Sequence, residues 1–420
     1  MRTTRDPTTG HRERERSPGP GLRARLWLIP LLLASTLAAC GDSGTGPGGG
    51  DEPPLDPELV AQGKDVFRFD TFGDDVFWTD TARLHEVIES AVSPALALQV
   101  GLKVDADALP QSVKDAIAAG QVDLQDPATT LALLKLNAVL GVQGTVETVN
   151  GRDTLTRVGI TCALCHSTVD NSFAPGIGRR LDGWPNGDLD VGAIVALSPA
   201  IPPALKEIMR GWGPGMYDPR INIDGKNTPI VIAPAYGLRG VSLETFTGEG
   251  PVSYWNAYVA VTQMHGQGNF TDPRLGISVV HAPDQVTPVL AALREYQLSL
   301  MVPEPPPGSF DATSAARGKQ LFSGKARCSS CHFPDDHFTD VNSGRLHDAA
   351  ETGMDAAYAE RTATGRYRTT PLRGLWQHAP YFHDGSAATL ADVVSHYDGV
   401  LSLGLTEQER HDLVEYLKTL

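Results

Sequence analysis

The sequence predicts a mainly α-helical protein of two domains, the first enlarged by a long helical insertion. Three observations predict it: a repeat of the same motifs at both ends of each half, helix-period apolar patterning, and a Pro-rich break between the halves. At the front of each half, Ala61-Gln62-Gly63-Lys64-Asp65-Val66-Phe67 matches Ala316-Arg317-Gly318-Lys319-Gln320-Leu321-Phe322. At the back, Leu293-Arg294-Glu295-Tyr296 with Leu300 matches Leu413-Val414-Glu415-Tyr416 with Leu420. In the last segment Leu413, Leu417 and Leu420 share one helical face, and Thr406 with Glu409 forms a capping box at its start. The break is Val302-Pro303-Glu304-Pro305-Pro306-Pro307-Gly308, a stiff linker assigned to residues 302–310. This gives a first domain at 58–301 and a second at 311–420.

Phe322 precedes Cys328 by six residues, whereas Phe67 precedes Cys162 by ninety-five. The difference is an insertion at about residues 71–157. Helical patterns run over Thr81 to Val92, Leu109 to Ala119 and Thr129 to Leu140, and a hairpin is expected around Asn150-Gly151. A segment this long is no idle loop.

The first forty residues read as an address, not as fold. Arg23 and Arg25 precede an apolar run from Leu26 to Leu37, and Leu37-Ala38-Ala39-Cys40 closes it. The run is too short for a stable spanning helix. Small residues before a cysteine resemble a bacterial lipobox, so residues 1–39 are expected to be a lipoprotein signal peptide and Cys40 the lipidated residue. Residues 40–57 form a Gly- and Pro-rich tether. The expectation is an exported protein, periplasmic or on the outer surface, held to a bacterial membrane by the N-terminal lipid only. A formal charge of −15 excludes nucleic acid as partner, because phosphate binding needs excess Lys and Arg.

Of five cysteines, the four other than Cys40 fall into two C-x-x-C-H units, Cys162/Cys165/His166 and Cys328/Cys331/His332. Disulfide pairing gives no reason for a His after each second Cys, whereas covalent haem c does. Two thiols make thioethers to the haem vinyls, and the adjacent His becomes the proximal iron ligand. Two covalently bound haems are therefore expected, with His166 and His332 on the irons. Function then turns on each sixth position, since the axial ligand governs potential and reactivity.

Crossing first and last helices near a covalent haem make both halves resemble class I cytochrome c. A second resemblance rests on Arg366-Tyr367-Arg368-Thr369-Thr370-Pro371-Leu372-Arg373-Gly374, Ala379-Pro380-Tyr381-Phe382-His383-Asp384-Gly385-Ser386, Thr389-Leu390 and Val393-Val394. These residues resemble the C-terminal half of bacterial di-haem cytochrome c peroxidases and of the related enzyme MauG, which matures a tryptophan-derived quinone. Over the first half the likeness is patchy, mainly Gly211-Trp212 and Asn227-Thr228-Pro229. The resemblance implies Tyr397 as distal ligand of the second haem, where peroxidases usually carry Met; Met354 is its rival. For the first haem it implies a His where Arg210 stands, an acid/base Glu near Gln263-Met264 and an inter-haem Trp near Thr247. Gln263 and Trp255 are the candidate catalytic substitutes, with Trp212 a second relay candidate; an amide cannot give and recover a proton at neutral pH. Met264, His265 and His85 are the distal candidates. Calcium is implied between the halves, on the Asn227 side chain and the Pro380 carbonyl. Arg179, Arg180 and Arg373 are candidate partners of the haem propionates.

The functions implied are a peroxidase-type oxidoreductase, a non-catalytic electron-transfer protein, or a di-haem oxidase or oxygenase acting on an organic substrate. The first takes electrons at the C-terminal haem from a small redox protein such as a monohaem cytochrome. It reduces hydrogen peroxide or another small oxidant at the N-terminal haem.

Overall fold

The computed structural model describes residues 53–420, all within one compact unit. Cys40, the signal segment and most of the tether lie outside the described residues. The first helix, α1 (Pro57–Phe69), begins inside the expected tether. Asp56 caps it by accepting from the Glu58 and Leu59 amides, and Pro57 supplies a preset first turn.

The expected insertion is less helical than its patterns suggest. A single π-helical turn (Phe77–Thr81) precedes α2 (Leu84–Ala91), so α2 starts three residues later than the pattern. A helix follows at Gln111–Ala118, then α3 (Pro127–Lys135). The stretch to Leu140 does not continue α3: Asn137 takes φ 51° and Leu140 donates its amide to Lys103. The rest is a long antiparallel hairpin, β1 (Val142–Val149) and β2 (Arg152–Ile160). Its turn residues Asn150 and Gly151 have φ 53° and 76°, the conformation that suits the twist of the two strands. Leu84, Val104, Leu131, Leu134 and Val158 form the core of this lobe.

Strand β2 delivers the chain directly to Cys162. Its last residue, Ile160, donates its amide to the buried Asp74 carboxyl, and Thr161 bonds back to Gly141 and to the Arg68 carbonyl. Farther on come α4 (Val252–Tyr258) and α5 (Leu290–Ser299). The second half contributes α6 (Ala312–Ser323), α7 (Leu390–Val400) and α8 (Glu407–Leu417). Capping boxes open α7 at Thr389/Asp392 and α8 at Thr406/Glu409.

The repeated motifs are repeated contacts. Helix α1 packs on α5 with Phe67 edge-on to Tyr296 at 5.4 Å, and α6 packs on α8 with Phe322 edge-on to Tyr416 at 5.3 Å. Each crossing is made by a glycine. A Cβ on Gly63 would lie 1.9 Å from the Ala292 carbonyl oxygen, and one on Gly318 would lie 2.0 Å from that of Asp412. The halves are also tied through buried charge. Arg361, from the second, reaches Asp218 at 2.9 Å and Asp224 at 2.8 Å in the first. Beside it Arg220 pairs with Glu249, both buried. Among the described residues no helix is long and apolar enough to cross a membrane.

Candidate haem sites

The two C-x-x-C-H turns fold alike. The His166 amide bonds the Cys162 carbonyl at 3.2 Å, and the His332 amide bonds that of Cys328 at 3.0 Å. Each imidazole then meets a backbone carbonyl at 3.0 Å: His166 Nδ1 with Ala233, His332 Nδ1 with Phe338. A carbonyl only accepts, so Nδ1 carries the proton and Nε2 is left as the metal-facing nitrogen. Burial lowers both imidazole pKa values, which keeps the rings in the neutral form that ligates. The four cysteines are free of disulfides, and burial pushes the Cys162 and Cys165 thiols up to about 12 and Cys328 up to about 11. Such surroundings disfavour thiolates and suit the uncharged sulfur of a thioether.

The second turn opens on a cavity of about 550 Å³. Its apolar walls include Phe322 of α6, Val393 and Val394 of α7 and Leu413 of α8. Cys328, Cys331 and His332 line it, together with both distal candidates, Tyr397 and Met354. Burial pushes the Tyr397 phenol up to about 12, so a phenolate here requires a cation in the cavity. Arg368 and Arg373 also line it; Arg368 bonds Glu244, and Arg373 bonds the Arg239 carbonyl. The size, the apolar walls and the donor set fit a haem held by Cys328 and Cys331.

At the first turn the candidates are spread apart in role. The Gln263 amide is fully engaged: its oxygen accepts from Tyr217 at 2.6 Å, and its nitrogen donates to Asn222 at 3.1 Å and Thr262 at 2.9 Å. Trp255 is buried beside Tyr258 at 5.4 Å, with Arg220 6.0 Å over its ring. Trp212 lies edge-on to Tyr217 at 5.7 Å. Met264 is buried in the core that contains Ala163 of the haem turn. His265, at φ 64°, stacks on Phe77 at 3.7 Å, and burial drives its pKa down to about 4. His85 stands on α2 with its Nδ1 buried and unbonded. Arg210 is paired with Glu207 and Arg179 with Asp170, while Arg180 bonds Asp105. Asn227 accepts the Trp212 indole N–H at 2.7 Å, and Pro380 follows a cis peptide bond at the rim of the second cavity.

Three features escape sequence reasoning. Tyr217, on the short strand Met216–Tyr217, is the partner that fixes Gln263. In the second cavity, His347 is clasped by Asp340 at 3.1 Å and Glu351 at 3.1 Å. Cys331, Asp340 and His347 are the one set of three or more His, Cys, Asp or Glu residues among the described residues whose ligand atoms lie within 4.8 Å of one another, although Cys331 belongs to the C-x-x-C-H turn. Finally, the segment holding Ala233 and Pro234 serves both sites. The Ala233 carbonyl anchors His166, and the same residues line the second cavity.

A family model described as RoxA-like, cytochrome c-like matches residues 365–398. The methylamine utilization protein MauG of Methylorubrum extorquens is 34% identical over 157 residues, covering 31% of this chain and 43% of that protein. Cytochrome-c peroxidase IdrP1 of Denitromonas iodatirespirans is 31% identical over 152 residues, covering 26% of this chain and 40% of that protein. The chain thus spans less than half the length of these relatives. Among solved structures, hydrazine synthase of Kuenenia stuttgartiensis aligns at TM-score 0.34 and 21% identity, over 50% of this chain and 78% of that one. A MauG-like protein associated with microbial copper homeostasis aligns at TM-score 0.32 and 22% identity, over 48% of this chain and 76% of that one.

Proposed function

The chain belongs to the superfamily of di-haem cytochrome c peroxidases and MauG, and from that premise we propose that it is an exported, lipid-anchored di-haem oxidoreductase of peroxidase type. In this reading it is built as two cytochrome c-like lobes, at 58–301 and 311–420, the first carrying the insertion. Cys162 and Cys165 hold one haem c with His166 on its iron, and Cys328 and Cys331 hold the other with His332. When bound, haem supplies iron that stores and passes single electrons and, where a coordination position is free, a place for peroxide reduction.

The protein's own residues set the roles. Tyr397 would be the distal ligand at the second site, and Met354, which lines the same cavity, is its competitor. A small redox protein delivers electrons there. With haem bound, the first site would be where peroxide, taking two electrons and two protons, gives two waters. The Ala233 carbonyl fixes the ring of His166, and Arg368 and Arg373, which line the second cavity, would be the cations available to haem propionates there. A calcium ion on Asn227 and the Pro380 carbonyl belongs to the same reading; the Asn227 oxygen retains a second lone pair beyond its bond to Trp212.

The observation that carries the proposal is the duplicated haem turn, with the same imidazole anchoring at both copies. One observation favours a purely electron-carrying alternative. Gln263 stands where the resemblance implies a Glu, and its amide is pinned by three hydrogen bonds, so it cannot relay protons. Low-temperature electron paramagnetic resonance of the oxidised protein separates the two. A high-spin ferric signal that changes on peroxide addition is expected. Two low-spin signals indifferent to peroxide, before and after partial reduction, would leave an electron carrier.

A further inference from the structure

The lobe between α1 and the first haem turn holds another, smaller cavity, of about 90 Å³, with a lining almost wholly hydrocarbon. Leu84 and Ile88 of α2, Leu133 of α3 and Leu98 form one side, while Ile160 and Leu164 close the side toward the haem turn. Leu164 lies between Cys162 and Cys165, so one side chain separates the cavity from the thioether-bearing backbone. The two polar groups in the lining are turned elsewhere. Thr130 donates its hydroxyl to the Val92 carbonyl at 2.7 Å, and the Trp78 indole N–H is buried near the Asp74 carboxyl without forming a hydrogen bond.

A space whose exposed surface is hydrocarbon stays dry and takes apolar guests. Its volume exceeds the roughly 30 Å³ share of one water and is below the roughly 150 Å³ of a cavity that admits benzene. Hydrogen peroxide, with two hydroxyls, would lose its hydrogen bonds on entering, at a cost of several kcal/mol. A diatomic apolar gas loses none. We propose that this cavity is a binding site for dioxygen, placed by the insertion directly behind the first haem turn. The proposal holds whether or not the first site reduces peroxide, because it concerns what the insertion stores and not what the iron does.

The test uses crystals of the intact di-haem protein, pressurised first with xenon and then with dioxygen. One xenon bounded by Leu133 and Leu164 is expected, with dioxygen density at the same place. Ala97, which also lines the cavity, is the point at which to fill it: Ala97→Leu is expected to abolish the xenon peak. Should that variant not fold, Leu133→Ala enlarges the space instead and is expected to raise xenon occupancy at equal pressure. Absence of xenon from the unaltered protein, or a peak indifferent to these substitutions, overturns the site. Xenon without dioxygen overturns the assignment of the gas. Electron paramagnetic resonance on the same preparation tests the peroxidase reading separately.

Discussion

The glycine at each helix crossing allows a sharp prediction. Gly318 of α6 faces the Asp412 carbonyl of α8, and a methyl group there would sit 2.0 Å from the oxygen, 2.6 Å from its carbon and 2.8 Å from the Tyr416 Cβ. Side-chain carbons essentially never approach closer than 3.0 Å, and the obstacle is backbone, so Gly318→Ala forces the helices apart by about 1 Å. A gap of that size forfeits about a quarter to a half of each dispersion contact along the interface, where Phe322 and Leu413 pack. Overpacking of this kind costs about 1–3 kcal/mol, and the better helix propensity of Ala returns about 1 kcal/mol. The net expectation is a loss of up to about 2 kcal/mol. Gly63→Ala should behave the same way, since its methyl would lie 1.9 Å from the Ala292 oxygen. Gly399, within α7, is the control: nothing lies within 4 Å of its added Cβ, so Gly399→Ala should stabilise by up to about 1 kcal/mol. Urea unfolding followed by far-ultraviolet circular dichroism and Soret absorbance reads all three. If Gly318→Ala equals or exceeds the parent in stability while Gly399→Ala behaves as stated, the close-approach argument is refuted.

Other expectations follow from buried charge and from the haem sites. Asp74 is buried and its carboxyl is pushed up to about 9, chiefly by desolvation. The folded state therefore holds a proton that the unfolded chain releases near pH 4, and this contribution to stability is lost as pH rises from about 4 toward 9. Unfolding free energies should fall by about 1 kcal/mol per pH unit across that window relative to Asp74→Asn, and parallel pH profiles would count against it. Arg361→Met strands the buried Asp218 carboxylate and should cost about 3–5 kcal/mol, read as a lowered urea midpoint. Tyr397→Met should raise the potential of one haem by an amount on the order of 100 mV in a spectroelectrochemical titration. Met354→Leu should leave that potential in place, and the opposite pattern would make Met354 the ligand. Replacing Cys328 and Cys331 together by Ala should halve the haem content measured by pyridine haemochrome absorbance.

The chemistry-bearing parts were legible because they are local. A C-x-x-C-H turn, a Thr-x-x-Glu cap and an Asn-Gly turn each specify their conformation within a few residues, and the structure forms the turn, cap and hairpin where the motifs stand. The repeat of Gly63 and Gly318 was visible as a match, but its reason is a carbonyl on a helix more than ninety residues distant in either half. The Leu-rich stretch after Thr129 carries a helical pattern, yet α3 ends at Lys135 and, past the left-handed Asn137, the buried Ala138, Val139 and Leu140 enter the core outside any helix. Arg361 illustrates the rest. It is 143 residues from Asp218, and nothing in either neighbourhood distinguishes a buried pair from two solvated charges.

The shared peptide at Ala233 and Pro234, with the grip of Arg361 on Asp218, bears on whether this protein can be divided. A fragment cut at residues 302–310 would give a C-terminal piece with one wall of its cavity of about 550 Å³ removed and Arg361 without Asp218 and Asp224. The N-terminal piece would keep its anchor on His166 but leave Asp218 buried without its counter-charge. The halves are thus not severable modules despite their repeated motifs, and the 231–237 strip touches both His166 and the wall of the larger cavity.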